Sequence, residues 1–231
     1  MPTGEAVRRM FDSIAPRYDF LNHFLSAGID RRWRRAAVRT SEMHEGARVL
    51  DICCGTGDLS FEYAKSGGIV VGSDFAGAMV SRANTKNSSK PEDARANFII
   101  ADSLTLPFPD NSFDIVCVGF GIRNVENLDR GLREMERVTN NGGRSVILEF
   151  TTPPAKWMRG AFGFYFHRIL PRIGNALAGT KTDAYTYLPN SVDAFPDAPA
   201  LAKRMELAGF INVRYSYLSG GIAAIHVGRK K

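Results

Sequence analysis

Cysteine is scarce: three residues in 231, with Cys53 and Cys54 adjacent and Cys117 inside the apolar run FDIVCVGF. No CxxC occurs, so a disulfide scaffold is not expected. Four histidines, His23, His44, His167 and His226, are scattered without HxxxH or similar spacing. That argues against a zinc site, and no metal is expected. No apolar run is long enough to span a bilayer. The opening segment MPTGEAVRRMFDSIAPRYDF lacks the continuous apolar stretch of a secretory signal. A soluble, cytoplasmic chain is the expectation. Internal repeats are absent as well.

Acid is missing from one long stretch. Residues 155–182 carry Lys156, Arg159, Arg168, Arg172 and Lys181 without a single Asp or Glu. Residues 1–40 hold eight arginines against four acids, so with a net charge of +6 the rest of the chain is acidic by three. Solvated helix faces account for such excesses; so does contact with an anionic surface. The late segment also reads WMRGAFGFYFHRIL, whose aromatics suit a membrane interface or a greasy ligand better than a duplex groove. Nucleic acid is not an expected partner.

The length and a hydrophobic content of 44% fit one α/β domain with a sizeable core. From residue 46 short apolar runs alternate with amphipathic ones. ARVLDIC, GIVVGSD, NFIIAD, FDIVCVGF and GRSVILEF read as strands. LSFEYAKSG, GAMVSRANTK and NLDRGLREMERVT read as helices between them, the last with Leu128, Leu132, Met135 and Val138 on one face. This alternation builds a mainly parallel sheet covered on both sides. After the helix PALAKRMELAGF, only Gly220–Gly221 separates NVRYSYLS from GIAAIHVGRK, which forces an antiparallel hairpin. The expected architecture is an α/β, Rossmann-like class I methyltransferase fold of seven strands with a helical cap. We expect one domain over 1–231: an N-terminal cap at 1–45, a cofactor-binding core at 46–150, a substrate cap at 151–197, and the final helix and hairpin at 198–231.

Ligands of open parallel sheets bind at the carboxyl ends of the strands. The first strand runs through Asp51 into Gly55-Thr56-Gly57-Asp58, where glycine lets the backbone pass beneath a ligand. The second ends at Asp74, 23 residues beyond Asp51, where a carboxylate can accept both ribose hydroxyls of an adenosine. The third ends at Asp102-Ser103, within reach of an adenine edge. A nicotinamide dinucleotide site shares the first two features, but its GxGxxG fingerprint needs glycine where this chain has Ser60. S-adenosylmethionine is therefore the favoured cofactor. The neighbouring cysteines have no histidine nearby to activate them and are expected to pack beneath it.

The segments MFDSIAPRYDFLN, VLDICCGTGD, LPFPDNSFD, GFGIRNVENLDRGLREMERV and YLPNSVDAFP, with LAGFINVRYSYLSGGIAAIHVGRK, together resemble the ubiquinone/menaquinone-biosynthesis C-methyltransferases. The likeness runs from about Met10 to Lys230. It implies methyl transfer from S-adenosylmethionine to a ring carbon of a polyprenylated hydroquinone. Cofactor contacts carry over to Thr56, Asp74, Asp102, Ser103 and Gly119; many members have serine at this last position. Demethylmenaquinol is the expected acceptor. A benzoquinol precursor of ubiquinone, another small acceptor, or a non-catalytic cofactor- or lipid-binding role are the alternatives.

An aromatic carbon is a poor nucleophile until its neighbouring phenol ionises, at a pKa near 10. Arg123, after the fourth strand, is expected to hold the phenolate, with Asn124 orienting it and Tyr18 completing the polar end. Each has a competing role: Arg123 as a structural ion pair, Tyr18 as an aromatic staple, and Asn124 as a helix cap. Asp183, Tyr185 and Tyr187 are further cap candidates facing the ring. His167 is expected to take a packing or interface role. Phe162, Phe164, Tyr165, Phe166, Ile169 and Leu170 are expected to line a prenyl-tail entrance, with Arg159, Arg168 and Arg172 on lipid phosphates at the inner face of an anionic membrane; a pure core helix is the competing reading. A homodimer is carried as an option.

Overall fold

Period-two alternation in the apolar runs becomes a seven-stranded sheet in the computed structural model, which describes residues 4–15, 18–19, 26, 28–169, 172 and 184–231, without the side chains of 184–186. The strands are β1 (Arg48–Ile52), β2 (Ile69–Asp74), β3 (Asn97–Ile100), β4 (Phe113–Gly119), β5 (Thr139–Phe150), β6 (Ile211–Leu218) and β7 (Ala223–Arg229). Their order across the sheet is β3-β2-β1-β4-β5-β7-β6. The first five run parallel, and β7 is antiparallel to both β5 and β6. The strand order therefore reverses between β1 and β4, which opens a crevice at their carboxyl ends.

The helices are α1 (Gly4–Ile14), α2 (Ile29–Thr40), α3 (Asp58–Lys65), α4 (Gly77–Ser88), α5 (Leu128–Val138), α6 (Lys156–Phe164), α7 (Ala184–Asp193) and α8 (Ala198–Leu207). Alternate side chains of each strand supply the two faces. Val49, Ile115, Cys117, Val146 and Leu148 meet Trp33 and Ala37 of α2 and Leu59 and Tyr63 of α3. Leu50, Ile52, Val116, Val118 and Ile147 meet Leu132, Met135 and Val138 of α5 and Leu201 and Met205 of α8. Each such side chain removed from water contributes ~1.5–3 kcal/mol against the entropy of ordering. Among the described residues no helix is long and apolar enough to cross a membrane.

Two details differ from the sequence reading. The fifth strand begins at Thr139 rather than Gly143, because Thr139 pairs with Phe113 before the register shifts to Ile115 against Arg144. The intervening Asn-Asn-Gly-Gly is an irregularity inside the strand, and turn-forming residues concealed it. Asn124 does not cap α5. Asn127 does, its side-chain oxygen accepting from the Arg130 N–H at 3.0 Å.

Candidate active site

Strand β1 ends at Ile52, and the chain must turn at once to enter α3. Gly55 and Gly57 have φ of 55° and 85°, a left-handed conformation that side chains disfavour. Space is short too: a Cβ on Gly57 would lie 2.6 Å from the Phe98 ring. The turn is clamped from β2, since one Asp74 carboxylate oxygen accepts from the Gly55 N–H at 2.8 Å and the other from the Ala76 N–H at 2.8 Å. Burial pushes the Asp74 carboxyl up, and these backbone donors oppose the shift. The result is an acceptor pair fixed in direction before any ligand arrives.

Above this turn lies a cavity of about 190 Å³, walled by Gly55, Asp74, Asp102, Ser103, Tyr18 and Asn124 from the sequence-derived set. Helix α1 closes its top with Val7, Arg8 and Phe11, and Phe75, Met79 and Phe120 add apolar walls. A second chamber of about 90 Å³ adjoins it, lined by Ile14, Trp33, Arg34, Arg123, Phe150, Tyr187 and Leu188. Phe11, Tyr18 and Phe120 line both. A third, narrow recess of about 20 Å³ runs past Asp51, Cys54, Thr56, Asp58 and Gly119, again touching Tyr18. Gly57 lines none of the three; it shapes the turn.

Arg123 and Asn124 follow each other in a short 3-10 turn, Ile122–Asn124, yet face different cavities. The Arg123 guanidinium is buried and ion-paired, with Nη1 2.9 Å from Glu149 Oε1. Nη1 also donates to the Phe120 carbonyl, and Nε donates to Ser191 Oγ at 3.3 Å. The plane sits over Phe150 at 5.5 Å. No hydrogen bond among the described residues uses Nη2. Tyr187 donates to Asn124 Oδ1 at 3.0 Å and so spans the wall between the two chambers. Burial raises the Tyr187 phenol above its ordinary value, against the pull of the Arg123 charge.

Asp51 is wholly buried on β1, and desolvation pushes its carboxyl up to about 7. Ser60 Oγ donates to its Oδ2 at 2.6 Å, while Oδ1 has no hydrogen-bond partner among the described residues. Ser60, which breaks the dinucleotide fingerprint, thus serves this buried acid. The three thiols are all raised by burial and stay protonated at neutral pH. Cys53 lies against Gly121, where a Cβ would come within 2.5 Å of it.

Several residues escaped sequence reasoning. Phe11, Phe75 and Phe120 wall the first cavity, Trp33 and Phe150 line the second, and Glu149 holds its Arg123. For Phe75, Phe120, Glu149 and Phe150 the only local signal was an aromatic or acid at a strand end, and Phe11 and Trp33 lie within helices. Conversely, Phe162, Phe164, Tyr165, Phe166 and Ile169 line neither chamber. Phe166 is core, stacked on Phe162 at 4.6 Å and near Phe150 at 5.8 Å. His167 is exposed, with Nε2 3.2 Å from Asp193 Oδ2, so it is not part of the core. Leu170 and Asp183 lie outside the described residues, as does the side chain of Tyr185.

A sheet of this strand order, with a clamped glycine turn facing an acid at the end of β2, defines the class I methyltransferase fold. Solved structures agree: the cyclase SpnF superposes with a TM-score of 0.74 at 18% identity, over 99% of this chain and 96% of that one. Phosphoethanolamine N-methyltransferase 2 of Haemonchus contortus, in complex with S-adenosyl-L-methionine, gives 0.64 at 15% identity, over 85% of this chain and 52% of its own. The sequence pattern of the ubiE/COQ5 methyltransferase family matches residues 2–230. The chain is 49% identical to the demethylmenaquinone methyltransferase of Deinococcus radiodurans, over 99% of its length and 94% of the relative. It is 44% identical to the ubiquinone/menaquinone biosynthesis C-methyltransferase UbiE of Geotalea uraniireducens, over 98% and 97%. The chain belongs to the ubiE/COQ5 methyltransferase family. It is an S-adenosylmethionine-dependent methyltransferase of quinone biosynthesis.

Proposed function

We propose that this enzyme methylates a ring carbon of a polyprenylated hydroquinone, demethylmenaquinol in preference to a benzoquinol. The observation that carries this is the pair of chambers sharing Phe11, Tyr18 and Phe120. One holds strand-end acids suited to an adenosine; the other is aromatic with the guanidinium groups of Arg34 and Arg123 in its wall, suited to a flat ring bearing oxygens. The relative from Deinococcus radiodurans, a demethylmenaquinone methyltransferase, supports the naphthoquinol.

The residues present fit S-adenosylmethionine, which supplies an electrophilic methyl group when bound. Asp74, held open by two backbone N–H groups, would take the ribose hydroxyls. Asp102 and Ser103 would meet the adenine edge. The recess past Thr56 and Gly119 would take the amino-acid end, with Asp51 at its floor. Gly119 can offer only backbone there.

On the acceptor side, Arg123 is half of a buried, neutral pair with Glu149. Its effect on a phenol oxygen is therefore a directed N–H from Nη2 more than a net charge. A preorganised donor in a dry site lowers a barrier by ~3 kcal/mol. Asn124, bonded to Tyr187, keeps the wall between the chambers polar at one point. Tyr18 sits at their junction and orients the ring. Helix α1 excludes water from both.

The tail has a second requirement, a route to lipid. Trp157 and Phe164 on α6 are 72% and 64% exposed, beside exposed Lys156 and Arg159. Such an amphipathic surface, with exposed Arg168 and Arg172 following, supports docking on an anionic bilayer. Flotation with anionic liposomes at low salt tests it, and absence of association refutes it.

The reaction is tested with methyl-labelled S-adenosylmethionine and, in parallel, reduced demethylmenaquinone and the reduced demethylated ubiquinone precursor. Mass spectrometry should find the label on the naphthoquinol ring. Label on neither quinol, with cofactor binding confirmed, refutes the reading.

A further inference from the structure

Thr56 belongs to the cofactor turn, yet it does not line the large cavity. Its hydroxyl donates to the Asp19 carboxylate and accepts from Lys86 Nζ at 3.2 Å. Lys86, on α4, also meets Asp19 Oδ2 at 3.0 Å and Asp58 Oδ1 at 2.6 Å. Arg82, one turn earlier on α4, lies 3.8 Å from Asp19. Residues from the N-terminal segment, the cofactor turn, the start of α3 and the end of α4 therefore converge on one ammonium group.

That convergence lies beside Tyr18, which also packs on Phe11. Asp19 is its chain neighbour, and Tyr18 is a residue that all three cavities share. Its ring reaches to 3.8 Å of the position a Cβ would take on Gly55, next to Thr56. Two adjacent residues of the cap thus lie against two adjacent residues of the turn, Tyr18 beside Gly55 and Asp19 hydrogen-bonded to Thr56. The side chains of Asp19, Asp58 and Lys86 are only 19–24% exposed, so solvent screens the cluster less than a surface pair. The N-terminal helix does not depend on this cluster for its seat. Asp12 accepts from the Ala78 N–H at 3.0 Å, and Phe11 and Ile14 pack against Ala76 and Met79.

We propose that Asp19 and Lys86, joined by the Thr56 hydroxyl of the cofactor turn, form a lock that holds Tyr18 at the junction of the two chambers, and that the Asp19–Lys86 pairing serves turnover rather than cofactor affinity. The proposal rests on the reading of those chambers as methyl-donor and acceptor sites. Opening the lock leaves the Asp74 clamp and the strand-end acids intact. It frees Tyr18 to swing from the junction where donor and acceptor must meet in line.

The test uses the full chain with Thr56→Val, Asp19→Asn and Lys86→Met, beside the conservative Thr56→Ser and Lys86→Arg. Calorimetry with S-adenosylhomocysteine measures the cofactor site, and labelled methyl transfer at saturating donor measures turnover. The lock predicts that the first three variants lose about tenfold or more in kcat, as small misplacements of a reacting pair do. For Asp19→Asn and Lys86→Met, which lie outside the cofactor contacts, Kd should stay within about threefold of wild type, the sign of an interaction absent from simple binding. Thr56→Ser and Lys86→Arg should recover most of the rate. In a Tyr18→Ala background, Asp19→Asn should cost little further, because both act through one residue. Tetranitromethane nitration of Tyr18, mapped by mass spectrometry, should be several-fold faster in Asp19→Asn than in wild type.

An Asp19→Asn or Lys86→Met enzyme with weakened cofactor binding and intact kcat overturns the proposal, as does a full additive loss over Tyr18→Ala. Unchanged nitration overturns it as well. Wild type that methylates neither quinol refutes the acceptor reading alone, and the nitration comparison then decides the lock by itself.

Discussion

Replacing Arg123 by Met separates its two tasks. The wild-type guanidinium is 7% exposed and its Glu149 partner 1% exposed, 2.9 Å apart. Removing the cation leaves a carboxylate in the core with two remaining donors, the Arg123 N–H at 3.3 Å and the Phe150 N–H at 2.9 Å. Breaking one side of a buried pair costs ~3–5 kcal/mol, and the surviving backbone donors favour the lower end. The Phe120 carbonyl and the Ser191 hydroxyl lose a donor as well. For a chain of this size a loss of ~3 kcal/mol lowers Tm by roughly 6–12 °C. Adding Glu149→Leu removes the stranded charge, so the double variant should regain most of that stability. Urea denaturation of the wild type, both singles and the double variant reads these differences. Methyl transfer then isolates the chemistry: the double variant should be folded, bind S-adenosylhomocysteine, and be at least a hundredfold slower, the ~3 kcal/mol of a lost directed donor. A stable double variant with wild-type turnover refutes the catalytic part. An Arg123→Met chain as stable as wild type refutes the burial argument.

Asp74→Ala removes both the clamp on Gly55 and the proposed ribose acceptor, so the Kd for S-adenosylhomocysteine should rise more than about tenfold; calorimetry checks it, and an unchanged Kd would exclude that role. Gly57→Ala places a methyl against Phe98 at a φ of 85°, which should destabilise by ~1–3 kcal/mol in urea melts. Asp51 has a folded pKa of about 7 against an ordinary 3.8, so between those values the folded state keeps a proton that the unfolded state has released. Its stabilising contribution is therefore full below about pH 4, falls as pH rises to about 7, and is flat above. Compared with Asp51→Asn, wild-type stability should decline across that window in denaturant titrations; parallel profiles would mean the acid is already ionised in the fold.

The strands, the glycine turn and the acids at strand ends are local properties. A period of two in VLDI or FDIVCV dictates which side chains share a face, and a left-handed turn after a strand all but requires glycine. That is why β1 to β4, the helix face of Leu132, Met135 and Val138, the hairpin and the place of Asp74 could be read from residue order alone. Pairings across long separations could not. Glu149 is 26 residues from Arg123, and Lys86 is 67 from Asp19; nothing local in either stretch names its partner. The insertion of β7 between β5 and β6 is of the same kind, since a hairpin specifies its own pairing and not the neighbour it joins. Whether Asp51 carries a charge depends on burial, a property of the packed sheet.

Residue order by itself determined the core strands and helices, their faces and the acids at strand ends, because each follows from spacing along the backbone, while the likeness of whole motifs pointed to the family. Only the tertiary structure decided which side chains share a cavity. Phe166 went to the core, one of its two expected places, Asn124 to Tyr187, and Thr56 to Asp19 and Lys86. The reason is physical: a polar side chain leaving water takes the partner that folding brings within hydrogen-bond reach, and that partner is set by how the layers stack.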